Sequence, residues 1–280
     1  MSYKHVRATE FWLSLRLALS ALRRPELLLP FGLYAGVQLL VTAGIVLFHR
    51  PGISMIAEPI VRSVGGEEST HYPQFFASLP LIAERLFSVL HVLVGSIASG
   101  ATVILASFLI AGRPPEIGRA FRSAGGMYGH LLAVVVLVEL ITLTLSSLIY
   151  RTASGAPGGL LAAPFVARGL SIAVILATQT VFAYLVPSVA VSGNSFRRAV
   201  SESIRIAARN VSTTFIVILL SFLPHLPLRY LISKSAFFAL KLRPELTAWL
   251  IGADVLLGIF TGLFLACCVT RMYLLGAGED

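Results

Sequence analysis

The chain has 280 residues, of which 56% are hydrophobic and only 12% are charged, and its formal net charge is +9. A soluble domain carries roughly twice that share of charged residues, and the mean hydropathy of +0.86 is typical of a chain that lies in lipid. These values exclude a water-soluble enzyme and indicate an all-α membrane protein with several spans.

Six apolar stretches are long enough to cross a bilayer, because a hydrocarbon layer about 30 Å thick requires roughly 20 helical residues. Three further stretches place apolar and basic residues on opposite sides of a helix, which predicts amphipathic surface helices. In chain order we expect a surface helix at 6–24, spans at 27–48 and 86–111, a surface helix at 114–127, spans at 130–150 and 170–192, a surface helix at 194–210, and spans at 211–232 and 246–275.

The fifth span differs from the others because Pro224 and Pro227 interrupt it. Proline has no backbone N–H to donate, so the outer end of this span should kink or unwind. The chain as a whole, residues 1–280, is predicted to be a single integral membrane domain. It is expected to be a bundle of six transmembrane helices with three cytoplasmic amphipathic helices.

Lysine and arginine are more frequent in the segments that hold the surface helices than in the other connections. The positive-inside rule therefore places both termini in the cytoplasm. The positive charge indicates attraction to anionic lipid and not a nucleic-acid surface. The basic residues expected to contact lipid or a partner protein are Arg16, Arg119, Arg122, Arg197, Arg198, Arg205 and Arg209.

The third surface helix shows how its two sides are assigned. Phe196, Val200 and Ile204 fall on one side at helical spacing, and Glu202 falls on the other side with the arginines. We therefore expect Glu202 on the polar face. A surface helix followed by two spans occurs three times, which indicates either three related units or a chance similarity of short basic loops.

Two stretches, FLIAGRPPEIGRAFRSAGG and LVPSVAVSGNSFRRAVSESIRIAARN, each followed by an apolar span, resemble a broad bacterial family of six-span proteins. The family includes the membrane domain attached to some glycerophosphodiester phosphodiesterases and related inner-membrane proteins. In the fused members the hydrolase is a separate soluble barrel, which this chain does not have. The resemblance therefore implies a six-helix membrane module with an anchoring or lipid-related role.

Four polar residues fall inside predicted spans, and they are Glu139, Thr142, Gln179 and Asp254. An ionised carboxylate within a bilayer is costly unless it is paired, neutralised or hydrated. Together these residues form a candidate site for a proton, a cation or a polar headgroup. The alternative is that they only hydrogen-bond across helices and hold the bundle together. His91, near the start of the second span, is expected at the membrane interface.

Small residues four positions apart predict close contact between helices. Gly258 and Gly262 form such a pair in the sixth span, and Gly95 with Ser99 forms one in the second. Nothing in the sequence has the spacing of a metal site, a nucleotide site or an activated nucleophile. We therefore expect no metal, no cofactor and no enzymatic activity.

Two functions remain open. The first is a non-enzymatic accessory or scaffold subunit that contacts membrane lipids or other membrane-protein subunits through its surface helices. The alternative is a transporter or permease subunit in which Glu139 and Asp254 line a polar pathway. An intramembrane lipid enzyme has the weakest support. The expected location is the bacterial inner (plasma) membrane.

Overall fold

The computed structural model describes residues 8–47, 50–155 and 164–277, and within these ranges the chain forms helices and turns without strands. The predicted all-α fold is therefore confirmed. The helices are α1 (Ala8–Ala21), α2 (Pro25–Val46), α3 (Pro51–Gly65), α4 (Gln74–Leu90), α5 (Ser96–Ile110), α6 (Ile117–Gly126), α7 (Tyr128–Gly155), α8 (Pro164–Phe182), α9 (Leu185–Ala190), α10 (Phe196–Arg209), α11 (Val211–Phe222), α12 (His225–Ile232), α13 (Ser235–Lys241) and α14 (Leu246–Ala277).

Five segments are long and apolar enough to cross a membrane. They are Pro25–Val46, Gln74–Ile110, Tyr128–Ile149, Val166–Ala190 and Leu246–Ala277. The second segment begins well before the predicted residue 86, because a π-helical turn joins α4 and α5 into one continuous helix. The chain is thus a membrane-embedded helical bundle.

The predicted span at 211–232 is broken. α11 ends at Phe222, and its 12 residues are about 18 Å long, shorter than a bilayer core of about 30 Å. Leu223 and Pro224 form a turn before α12 begins, as expected where proline removes a helix donor. At its other end α11 meets α10 at a bend of 98°.

Two buried apolar clusters lie at the two ends of the bundle. The first cluster contains Leu27, Leu105, Tyr184, Val217 and Tyr273. The second contains Ile45, Phe75, Ala239 and Ile251. We call the first the α10 end of the bundle and the second the α3 end.

α2 runs from the α10 end to the α3 end and α4–α5 return, and α11–α13 run to the α3 end before α14 returns. α7 begins at the α10 end, where Leu131 and Val134 belong to the first cluster, and α8–α9 return to that end, where Leu185 does. α1 and the last turns of α14 therefore lie at the same end. Two contacts between them agree, since Arg271 Nη2 lies 3.4 Å from Glu10 Oε2 and Cys268 Sγ lies 3.7 Å from the carbonyl oxygen of Ser14.

The three amphipathic helices pack by pairs of small residues four positions apart. α1 lies on α14, α6 lies on α5, and α10 lies on α8 and α9. Small side chains at these contacts allow two helix backbones to approach closely. The fully buried pairs are Ser14 with Ala18, Ala120 with Ala124, and Ala199 with Ser203.

This packing follows a cyclic rule. Each unit consists of one amphipathic helix and the two helical segments that follow it, which we call its first and second pass. The amphipathic helix of each unit lies on the second pass of the preceding unit. The first unit completes the cycle, because α1 lies on α14, the last pass of the third unit. The first passes occupy the gaps, with α2 between α14 and α5, α7 between α5 and α8, and α11 between α8 and α14. The arrangement favours three related units over chance similarity.

Substitution of Gly262 should destabilise the bundle, whereas the same change at Gly258 should not. A Cβ atom at Gly262 would lie 3.1–3.2 Å from ring atoms of Phe31, but one at Gly258 would meet nothing within 4 Å. We expect Gly262→Val to cost about 1–3 kcal/mol through overpacking against α2. The measurement is the temperature at which the protein leaves the monodisperse size-exclusion peak in detergent. Equal midpoints for Gly262→Val and Gly258→Val would contradict the contact.

Candidate functional site

A cavity of about 250 Å³ lies between the helices, and its lining includes residues of α2, α5, α7, α8, α9, α11 and α14. Most of the lining is apolar, and the polar part consists of His91, Ser99, Glu139 and Gln179. Sites for small molecules have this composition, with a few polar groups set in apolar walls. The apolar lining includes Phe31, Val103, Val138, Phe182, Ile218 and Leu265.

The π-helical turn His91–Gly95 positions the imidazole of His91. Gly95 is required there, because a Cβ atom would lie 2.7 Å from His91 Nδ1 and 3.3 Å from Tyr34 Cζ. The ring centroids of Tyr34 and His91 are 6.1 Å apart. His91 lies near the middle of a helical segment of 37 residues, whereas the sequence predicted it near the end of a span. Single π-helical turns often occur at functional sites.

Glu139 on α7 and Gln179 on α8 meet at the cavity, although 40 positions separate them in the sequence. α7 and α8 pack side by side, which brings the two side chains to the same wall. Glu139 is half-buried and Gln179 is exposed. The cavity is therefore open to its surroundings on this side.

Thr142 and Asp254 do not belong to the cavity lining. The hydroxyl oxygen of Thr142 is buried without a hydrogen-bond partner among the described residues. Asp254 belongs to a separate cluster, where its Oδ1 lies 2.5 Å from His225 Nδ1 and its Oδ2 lies 3.9 Å from Arg229 Nε. His225 Nε2 lies 2.9 Å from Thr261 Oγ1. The structure thus separates two of the predicted polar residues from the other two.

Glu202 on α10 is a second acid with a defined environment. Its expected position on the polar face is wrong, because only 8% of it is exposed. The carboxylate accepts hydrogen bonds from the hydroxyl of Ser188, from Asn194 Nδ2 at 2.6 Å and from the hydroxyl of Tyr273 at 3.0 Å. These donors come from α9, the following loop and α14, so no local sequence pattern predicts them.

The Glu202 cluster lies behind the floor of the cavity. Leu185, Val186 and Pro187 of α9 line the cavity, while Ser188 on the same short helix bonds to Glu202. α9 is buried along its length and packs on α10. The hydrogen bonds of Glu202 therefore hold α9 in place and close the cavity towards the α10 end.

The α10 end exposes arginines from all three amphipathic helices and their flanking loops. The described acids there are fewer than the arginines, because Glu202 is buried, Glu10 pairs with Arg271, and only Glu26 and Glu116 are exposed. Glu116 is exposed and lies 3.7 Å from Arg119. The exposed arginines at this end are Arg16, Arg23, Arg24, Arg113, Arg119, Arg122, Arg197, Arg198, Arg205 and Arg209.

Exposed apolar side chains lie on the same helices as these arginines. Trp12 is 67% exposed, Leu19 is 58% exposed and Ile204 is 45% exposed. The buried face of each helix thus includes its small residues, while these three larger apolar side chains face outward. This combination of outward apolar and basic side chains is typical of a helix at a membrane interface.

No family model, curated protein or solved structure matches the chain. The resemblance to the six-span bacterial family therefore stays a prediction.

Removal of the Glu202 carboxylate should destabilise the protein strongly. Glu202→Ala leaves the amide of Asn194 and the hydroxyls of Ser188 and Tyr273 without their acceptor, which should cost about 3 kcal/mol or more. Glu116→Ala is the matched control, because that exposed acid has only a surface ion pair and should change stability by less than about 1 kcal/mol. Thermal unfolding of both variants in the same detergent tests this. A loss at Glu116 as large as that at Glu202 would disprove the role of the buried cluster.

Proposed function

We propose that the chain is a non-enzymatic membrane module that binds anionic lipid headgroups at its α10 end. The observation that supports this most directly is the set of exposed arginines, which come from three separate helices at one end of the bundle. The bundle is proposed to lie in a bacterial inner membrane with both termini in the cytoplasm, because basic residues favour the cytoplasmic side.

The chemistry of the surface favours phosphate-bearing headgroups. Every exposed basic residue at the α10 end of the described chain is arginine, and its guanidinium can bond two phosphate oxygens at once. A basic residue near an anionic surface contributes about 1 kcal/mol to attraction. Several arginines on one surface therefore bind anionic lipid more strongly than any single contact does.

Rigid packing supports this function. Each amphipathic helix is held on the bundle by fully buried small residues such as Ala120 and Ala124 on α6, so the backbone that carries the arginines has a defined position. Trp12 and Leu19 on α1 are exposed beside Arg16 and can enter the apolar edge of the leaflet. Contact with other membrane-protein subunits through the same surface is the competing interpretation.

A transporter or permease subunit is the second candidate function. The cavity favours it, because a binding site between helices of several units is typical of transporters. Such a pathway would use Glu139 and not Asp254, whose carboxylate is held by His225 and Arg229. Proton flux into liposomes that falls in Glu139→Gln but not in Asp254→Asn would support transport, and equal flux in all three proteins would count against it.

Loss of arginines at the α10 end should weaken binding of anionic lipid. We expect the combined variant Arg122→Gln, Arg197→Gln and Arg198→Gln to bind phosphatidylglycerol at least about tenfold more weakly, given about 1 kcal/mol per basic residue. The measurement is native mass spectrometry of the delipidated full chain titrated with phosphatidylglycerol, with phosphatidylcholine as the neutral reference.

The control removes the same number of charges from the other side of the bundle. Arg85, Arg168 and Arg243 are exposed and lie outside the α10 end. Their combined replacement by glutamine should leave phosphatidylglycerol binding within about twofold of the unmodified chain, since surface charge acts over a Debye length of about 10 Å. Equal losses in the two triple variants would show that net charge alone governs binding.

A further inference from the structure

The polar side chains of the central cavity have no hydrogen-bond or ion-pair partner in the described part of the chain. His91, Ser99, Glu139 and Gln179 line the cavity, and none of them makes a hydrogen bond or an ion pair within the described residues. Two other hydroxyls in the spans are satisfied, since Thr102 and Thr180 donate to carbonyl oxygens of Ala98 and Leu176 on their own helices. The hydroxyls of Thr142, Ser171 and Thr247 also lack a partner among the described residues, but they are buried and do not line the cavity. A polar group in lipid without a partner is costly. An occupant of the cavity would supply the missing partners.

The charged residues in the cavity lining indicate which chemical class of ligand it would bind. Glu139 is the acid in the lining, and no lysine or arginine of the described chain lines the cavity. An anionic ligand would find no cation there, whereas a cation would find a carboxylate. The aromatic rings of Phe31 and Phe182 also face the cavity, and aromatic faces attract organic cations.

The walls and the opening indicate a ligand that is also lipophilic. Valine, leucine, isoleucine and phenylalanine side chains surround the polar patch, so the uncharged part of a ligand would contact apolar atoms. The cavity opens beside Gln179, which is exposed on the apolar helix α8. A ligand dissolved in the bilayer could therefore reach the cavity from the side.

We propose that this cavity is a binding site for a small lipophilic organic cation, an amine or a quaternary ammonium, whose charge pairs with Glu139. The cavity volume of about 250 Å³ corresponds to roughly eight waters at 30 Å³ each, which accommodates a small aromatic ammonium ion. The amide of Gln179, the hydroxyl of Ser99 and the imidazole of His91 provide polar contacts around the charged group. This site is independent of the lipid-binding function of the arginines at the α10 end.

The test uses radiolabelled benzyltrimethylammonium and the full chain in phosphatidylcholine nanodiscs, with empty nanodiscs as the reference for partition into lipid. We expect saturable binding to the protein above the linear uptake of empty discs. Unlabelled neopentylbenzene has the same shape without the charge and should compete at least about tenfold less well. Uptake equal to that of empty discs would overturn the proposal and indicate that the cavity does not bind the cation. Equal competition by neopentylbenzene would also overturn it, because the site would then bind apolar ligands without regard to charge.

Two matched variants test whether Glu139 is the carboxylate that pairs with the cation. Glu139→Gln keeps the shape of the side chain and should weaken binding of the cation at least about tenfold, because the opposite charge is lost in a medium of low dielectric constant. Asp254→Asn removes an acid that does not line the cavity and should leave binding within about twofold. Unchanged binding in Glu139→Gln, or an equal loss in Asp254→Asn, would overturn the assignment.

A third variant keeps the test decisive if Glu139→Gln does not fold. Ser99→Phe places a large apolar side chain in the cavity and leaves Glu139 unchanged. It should abolish saturable uptake while the protein keeps its size-exclusion profile. Saturable uptake by a folded Ser99→Phe variant would place the cation outside the cavity and overturn the proposal.

Discussion

The architecture depends on the close approach of helices at small side chains. In lipid, apolar side chains gain little by leaving their surroundings for one another, so helix association depends on tight packing and on hydrogen bonds between helices. The fully buried pairs on α1, α6 and α10 provide this packing at one end of the bundle. Within the bundle, Gly262 lies against the ring of Phe31 and Gly100 lies against Leu131. Larger residues at these positions would separate the passes that surround the cavity.

Composition and periodicity were sufficient to predict the helical class, the three amphipathic helices and the five long apolar segments, because each of these is encoded by neighbouring residues. The faces of the amphipathic helices were predicted only in part. On α10, Phe196 and Val200 pack against the first cluster as predicted, but Ile204 is exposed and Glu202 is buried, and the small residues Ala199 and Ser203 are fully buried. The break after Phe222 was indicated by its prolines, since a missing N–H is a local property. The π-helical turn that places His91 at the cavity was not predicted from the sequence, because it depends on contacts between distant helices.

The acids within the bundle differ in whether their carboxylates have hydrogen-bond or ion-pair partners. This difference separates structural from functional roles. Glu202 accepts three hydrogen bonds from donors on other elements, and Asp254 is held by His225 and Arg229. Glu139 has no such partner among the described residues and faces open volume. A sequence shows that all three acids occur in or beside apolar stretches, but the donors around each come from remote positions. Only the three-dimensional arrangement distinguishes the satisfied carboxylates from the unsatisfied one.

The cyclic packing of the three units has a consequence for biosynthesis. α1 is synthesised before the other described helices, and α14, on which it lies, is synthesised after them. The face of α1 that holds Ser14 and Ala18 is therefore covered only after α14 has been made and inserted. A nascent chain that ends before α14 would leave this face exposed, and that exposed face would distinguish it from the folded protein.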